Sequence, residues 1–165
     1  IIPYLYTMFW QSSIDGSAIM RAALFADIAN KSLRKEENKF LLGNDLLIVP
    51  PWDKTKRFPR GNWRLIELLA NDYKDPFQVK VYLRAGAILS LGEVAQSVEQ
   101  QDPKKLELII NLDASGQASG LVYLDAGEGW SYKKADYRLI EFKYKNGELI
   151  NPDPQIQILK TLIVS

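Results

Sequence analysis

A mainly β chain, with two small β-sandwich-type domains preceded by one α-helix, is what the sequence predicts. Three observations carry that prediction. From Trp52 onward short apolar runs recur between turn signals at Pro59-Arg60-Gly61-Asn62, Asn71-Asp72, Asp75-Pro76 and Ala85-Gly86, the punctuation expected of sandwich strands. Two further runs, Phe40-Leu41-Leu42 and Leu46-Leu47-Ile48-Val49, flank Gly43-Asn44-Asp45, the signal for a tight antiparallel hairpin. Residues 92–105 are polar and contain Gln100-Gln101-Asp102-Pro103, which reads as a linker between two β domains.

The helix comes first. Residues 1–10 are apolar on nearly every helical face, Pro3 falls in a first turn where its missing N–H costs nothing, and Asp15-Gly16 closes the run. The segment lacks the basic flank of a signal peptide and is too short to span a bilayer. A helix apolar all round is normally buried on several sides, so we expect a preceding part of a longer protein to cover it. Residues 18–25 are mostly apolar and are read as extended, although so short a run does not distinguish strand from helix. Residues 29–38 are polar, a solvated connection with Glu36 and Glu37 at the surface. The hairpin follows. Its second run is too apolar to alternate between core and solvent and stops at Pro50-Pro51, because proline has no N–H for the ladder. Strand candidates are residues 63–69, 77–83 and 87–91, then 106–112, 120–124, 137–144 and 156–164.

With 47% hydrophobic and 25% charged residues in a chain of 165, a packed core is feasible. The net charge is +1 and the basic residues are scattered except at residues 54–60, which excludes the electrostatic footprint of a nucleic-acid or anionic-membrane partner. There is no cysteine and no histidine. That removes disulfides, thiolate chemistry and cysteine-ligated zinc, together with the commonest general base. No cofactor or metal is expected, and any catalysis within the chain would rest on carboxylates, lysine or tyrosine.

Ile2-Pro3-Tyr4-Leu5-Tyr6-Thr7, then Gly16-Ser17-Ala18-Ile19-Met20-Arg21, then Phe40-Leu41-Leu42-Gly43-Asn44-Asp45-Leu46-Leu47-Ile48-Val49-Pro50 resemble the carboxyl-terminal portion of glycoside hydrolase family 31, the α-glucosidase and α-xylosidase family. The resemblance continues at Pro59-Arg60-Gly61-Asn62-Trp63, at residues 81–89 and at Tyr123-Leu124-Asp125-Ala126-Gly127-Glu128-Gly129. The chain departs from the family's pattern at Ala22, where proline is usual, and at Ala126, where a second aspartate is common. The resemblance implies an anatomy: residues 1–20 as the last helix and exit of a catalytic (β/α)8 barrel, 21–95 as a proximal β-sandwich and 96–165 as a distal β domain. It also implies retaining hydrolysis of terminal α-linked glucose or xylose in the intact enzyme, an oligo- or polysaccharide substrate, and a barrel of the same polypeptide as partner. By the same analogy the protein would be exported.

The catalytic aspartates implied by the resemblance lie upstream of Ile1, so no catalytic residue is assigned here. Retaining hydrolysis needs two carboxyl groups about 5–5.5 Å apart, and Asp125 and Glu128 come nearest to such a pair. The plainer reading is that Asp125 caps its own turn while Gly127 and Gly129 supply positive φ. Arg21, inside an apolar strand, is expected to hold a carboxylate, since a charge there is costly unless paired. Arg84, beside Ala85-Gly86, is read as a turn-flanking residue that bridges domains. Trp52 and Trp130, near turns, are candidate sugar contacts, whereas Trp10 and Trp63 are assigned to the core. The alternative to a barrel-supporting segment is a stand-alone carbohydrate-binding module of two β-sandwiches.

Overall fold

The computed structural model describes residues 1–55, 57–68, 75–95 and 100–164. Lys56, the end of the expected first sandwich strand at Leu69, the turn at Asn71-Asp72 and residues 96–99 of the expected linker lie outside the described residues. Among the described residues the molecule is mainly β, with one α-helix ahead of two sheets, as predicted.

Helix α1 spans Ile2–Asp15 with Pro3 in its first turn. It stops at Gly16, whose φ of 72° puts it in the left-handed region and lets its N–H reach the Ser12 carbonyl at 2.9 Å. Tyr4, Thr7 and Met8 form its buried stripe against β6 (Ala87–Gly92) and β8 (Ala118–Leu124). Phe9 and Ile14 are exposed.

Residues 17–85 form one compact unit around a five-stranded antiparallel sheet. Its strands are β1 (Met20–Ala22), β2 (Phe40–Leu42), β3 (Leu46–Val49), β4 (Trp63–Ile66) and β5 (Lys80–Arg84), in the order β1-β2-β3-β5-β4. The hairpin forms as read: Phe40 pairs with Ile48 and Leu42 with Leu46 around Gly43, at φ 64°. All four residues of β3 are buried. The apolar run at residues 18–25 is extended only to Ala22 and then coils as a 3-10 turn at Ala23–Ala26. Alanine has little preference for a pleated surface, and here a fully buried Ala23 packs against Leu41, Leu47 and Val49. A second correction concerns residues 29–38. Leu33 and Glu36 are buried there, so the connection is not a solvated one throughout.

The other unit, residues 1–16 and 86–165, carries a six-stranded sheet in the order β10-β9-β8-β6-β7-β11. Besides β6 and β8 it contains β7 (Lys105–Asn111), β9 (Arg138–Lys145), β10 (Glu148–Ile150) and β11 (Gln157–Val164). Residues 87–92 precede the polar stretch yet pair with β7 and β8, so the two sheets part between β5 and β6. The parallel strands β6 and β8 are paired only at Ala87 and Ser119. On either side of that junction, Ile88, Leu106 and Ile110 meet Val122, Ile140 and Phe142 in one buried cluster. Gly120 sits at the closest approach: a Cβ there would lie 2.3 Å from the Ile88 carbonyl oxygen, a distance only glycine avoids.

Candidate functional site

Asp125 leaves β8 into the turn that contains Gly127 and Gly129, and both glycines adopt the positive φ expected of them, 74° and 79°. The Gly127 N–H donates to Asp125 Oδ1 at 2.8 Å, closing the predicted Asx-type turn. Two partners invisible to local reading complete the site. The Tyr6 hydroxyl donates to Oδ1 at 2.8 Å and approaches Oδ2 at 3.0 Å, and the Tyr123 hydroxyl donates to Oδ2 at 2.8 Å. Burial works against the charged form of Asp125, but the Gly127 N–H and the two phenols outweigh it and hold the carboxyl below its usual range. The phenols respond in the opposite sense. Burial and then Asp125 push Tyr6 up to about 12 and Tyr123 in the same direction.

The arrangement ties α1 to β8. Beside it the Tyr123 N–H donates to Thr7 Oγ1 at 3.0 Å, and the Thr7 hydroxyl in turn donates to the Pro3 carbonyl at 2.8 Å. Trp10 stacks on Tyr123 at 5.5 Å with the rings 14° apart, and Tyr6 meets Tyr123 edge-on at 5.4 Å. A carboxylate with both oxygens occupied is poorly disposed to attack a sugar or move a proton, since those hydrogen bonds would first have to break. Glu128 is exposed on the same turn.

Arg21 and Arg84 both serve the β2–β3 hairpin. Arg21 donates to the Gly43 carbonyl at 2.8 Å and to the Asn44 side-chain oxygen, so its partners are a carbonyl and an amide where a carboxylate was expected. Arg84 pairs with Asp45 Oδ1 at 2.9 Å, while its N–H bonds the Asp45 carbonyl at 2.8 Å. The turn is therefore gripped from β1 and from β5. Of the tryptophans, Trp63 packs on the core of its sheet, whereas Trp52 and Trp130 are 62% and 69% exposed, as sugar contacts would have to be. In the basic run, Arg57 donates to the Lys35 carbonyl and Arg60 to Asp27.

The strongest charge cluster was missed. Lys39, fully buried, places Nζ 2.5 Å from Asp53 Oδ2, 3.3 Å from Glu36 Oε2 and 2.6 Å from Thr55 Oγ1. Glu36 Oε1 also accepts the N–H groups of Asn38 and Lys39. Burial opposes both carboxylates, yet hydrogen bonds, from Thr55 first for Glu36 and from Lys39 first for Asp53, keep both below their ordinary pKa. The i,i+3 spacing of Glu36 and Lys39 was a legible signal; Asp53 was not. Because these side chains are 0–1% exposed, no substrate reaches them. Among the described residues no group of three or more Asp and Glu side chains is disposed to hold a metal ion, and no helix is long and apolar enough to cross a membrane.

A helix followed by two β-sheets, with the carboxylates of Asp125, Glu36, Asp53 and Asp27 engaged in hydrogen bonds or ion pairs within the fold, defines a mainly β segment. No family model matches the chain. It is 28% identical to α-glucosidase 2 of Bacillus thermoamyloliquefaciens over 163 residues, 89% of this chain and 20% of that protein. It is 30% identical to an α-glucosidase of Mucor javanicus over 154 residues, 82% of this chain and 18% of that one. The family 31 α-glucosidase from Bacteroides thetaiotaomicron superposes with a TM-score of 0.73 at 36% identity, over 90% of this chain and 24% of its own. The chain thus spans about a fifth of the length of the curated relatives it matches. It belongs to glycoside hydrolase family 31.

Proposed function

We propose that this chain is the non-catalytic β-sandwich segment of a retaining α-glycosidase that removes terminal α-linked glucose or xylose. In this reading residues 1–20 leave a (β/α)8 barrel of the same polypeptide, the five-stranded sheet is the proximal domain and the six-stranded sheet the distal one. The barrel supplies one carboxylate to attack the anomeric carbon and a second to protonate the leaving oxygen, about 5–5.5 Å away. The observation that carries the reading is the likeness, at 36% identity over 90% of this chain, to an α-glucosidase of which this chain covers 24%. The engagement of both Asp125 oxygens supports the non-catalytic part. The stand-alone binding module is not favoured, since the relatives match this chain as a fraction of a longer enzyme.

The test is hydrolysis of p-nitrophenyl α-glucoside and α-xyloside by the full-length polypeptide and by residues 1–165 alone. The full-length protein is expected to turn over one of them and to release the α-anomer first. Turnover by residues 1–165 alone would overturn the supporting role, and release of the β-anomer would overturn retention.

A further inference from the structure

The six-stranded sheet opens across its middle. Among the described residues, the parallel strands β6 and β8 register only where Ala87 faces Ser119, with the Ser119 N–H on the Gly86 carbonyl at 3.0 Å. Beyond that point β8 keeps its pairing with β9 as far as Leu124, but its other edge no longer pairs with β6. A buried strand edge without a neighbour carries N–H groups that need an acceptor. The alternation of a strand turns the Tyr123 N–H to the same edge as that of Ser119. Tyr123 is 3% exposed, and its N–H finds the hydroxyl of Thr7 at 3.0 Å. Thr7 is 5% exposed, and donating one turn back to the Pro3 carbonyl fixes its hydroxyl with the lone pairs turned outward. The rest of the helix closes the same opening. Trp10 is stacked on Tyr123 and meets Tyr137 at 6.0 Å, while Tyr137 meets Tyr123 at 5.3 Å. At the other end a Cβ on Gly92 of β6 would lie 3.4 Å from the Pro3 ring.

We infer that α1 is a structural member of the six-stranded sheet, which holds β8 in place only while the helix is seated against its open edge. In chain order residues 17–85, a compact unit of their own, stand between the helix and the sheet it completes. The five-stranded unit is therefore an insertion within the fold of the other. The dependence has a plain physical cause. Lifting α1 away leaves the Tyr123 N–H without its acceptor, Asp125 without the Tyr6 hydroxyl, and the ring of Tyr123 without the Trp10 face that covers it. In the α-glycosidase reading, on which this last step alone rests, α1 is also the final helix of the barrel. The distal sheet is then fastened to the barrel through one shared helix, and loosening the sheet loosens that helix.

The test is hydrogen exchange followed by mass spectrometry on the full-length protein, reading peptides from α1 and β8, with the β2–β3 hairpin as internal reference. Thr7→Val keeps the shape of the side chain and removes the acceptor. Exchange in β8 is expected to quicken about tenfold, the scale of one buried N–H left unpaired, and α1 to move in the same direction while the hairpin stays as it was. Thr7→Ser, which keeps the hydroxyl, is expected to stay closer to the parent than Thr7→Val does. Tyr6→Phe, which takes one donor from Asp125, is expected to be intermediate. Unchanged exchange in β8 of Thr7→Val would overturn the dependence of the sheet on the helix. A hairpin that quickens by the same factor would also overturn it, since the effect would then be global. The barrel link has its own readout: the half-life of p-nitrophenyl α-glucoside hydrolysis on heating is expected to shorten in Thr7→Val while the initial rate holds. A half-life equal to the parent's would overturn that link and leave the helix–sheet dependence standing. Quickened β8 exchange in a protein that hydrolyses neither p-nitrophenyl glycoside would remove the enzymatic reading and still support the dependence.

Discussion

In the five-stranded unit, Glu36 and Asp53 are held by a buried cation, whereas in the six-stranded unit Asp125 is held by neutral donors alone, two phenols and a backbone N–H. Both arrangements keep their carboxylates ionised. They differ in what remains when one partner is taken away. A buried ion cluster that loses its cation leaves like charges facing each other without water. A carboxylate surrounded by neutral groups can be removed and leave only hydroxyls and an amide, which find other partners at modest cost. The first is therefore an all-or-nothing device and the second a graded one.

Lys39→Met is the sharpest way to break that contrast. It deletes the cation and strands Glu36 and Asp53, and breaking a buried pair in this way costs about 3–5 kcal/mol. Adding Glu36→Gln and Asp53→Asn to Lys39→Met should restore most of the loss, since an uncharged cluster has nothing to strand. Urea unfolding of the three proteins reads this directly. The pH dependence has the matching sign. Both carboxyls have folded pKa values below the ordinary ones, so their contribution is present above the ordinary carboxylate range and is lost as pH falls beneath it. A Lys39→Met midpoint within about 1 kcal/mol of the parent, the ordinary effect of a point change, would show the cluster to be no more decisive than the tyrosine site.

Why one cluster was missed and the other half-read follows from sequence distance. The Asx turn at Asp125, the glycine stops at Gly16 and Gly43 and the hairpin between Phe40 and Val49 each depend on residues within a few positions. Their turn chemistry is written locally. Residues 18–25 lay where local preference is weak, and the packing of Ala23 beneath the hairpin decided that the chain should coil. Glu36 looked solvated because its segment is polar, and nothing nearby announces Asp53 and Thr55. Tyr6 and Asp125 are 119 positions apart. That contact exists because α1 lies across β8, a placement that no periodicity in either segment encodes.

Asp125→Ala tests the graded side of the comparison. It removes the Asx bond and the acceptor of two phenols, with an expected loss of about 1–3 kcal/mol in thermal or urea unfolding. In the full-length protein, the pH–rate profile for p-nitrophenyl α-glucoside should keep its shape; a shifted acidic limb would place Asp125 in the chemistry. A second readout is particular to this site. The Tyr6 phenol, raised from 10.0 to about 12 by burial and by Asp125, should ionise at lower pH once the carboxylate is gone, as followed by phenolate absorbance. A raised folded pKa contributes stability that is complete below the ordinary value and disappears as pH climbs through about 12. The parent should therefore lose stability across that alkaline interval more steeply than Asp125→Ala.

The smallest effect is expected where a cation reaches a buried carboxylate from solvent. Asp27, 5% exposed at its side chain, accepts from the guanidinium of Arg60 at 2.9 Å and 2.7 Å and from the Arg60 N–H at 3.1 Å. The Arg60 side-chain hydrogen bonds are the main reason its pKa falls to about 2, with the backbone N–H next. Because Arg60 is itself 73% exposed, water and salt screen the pair in a way they cannot screen Lys39. Arg60→Ala should leave stability at neutral pH nearly unchanged, since the backbone N–H stays to receive the charge. Asp27 should then titrate closer to 3.8 in a carboxyl NMR titration. As a depressed pKa contributes stability above the unfolded value and loses it as pH falls through the folded one, the parent should hold better than the variant between about 3.8 and about 2. An Asp27 that still titrates near 2 in Arg60→Ala would shift the credit to the backbone N–H, and this site would then join Asp125 among carboxylates held by neutral donors.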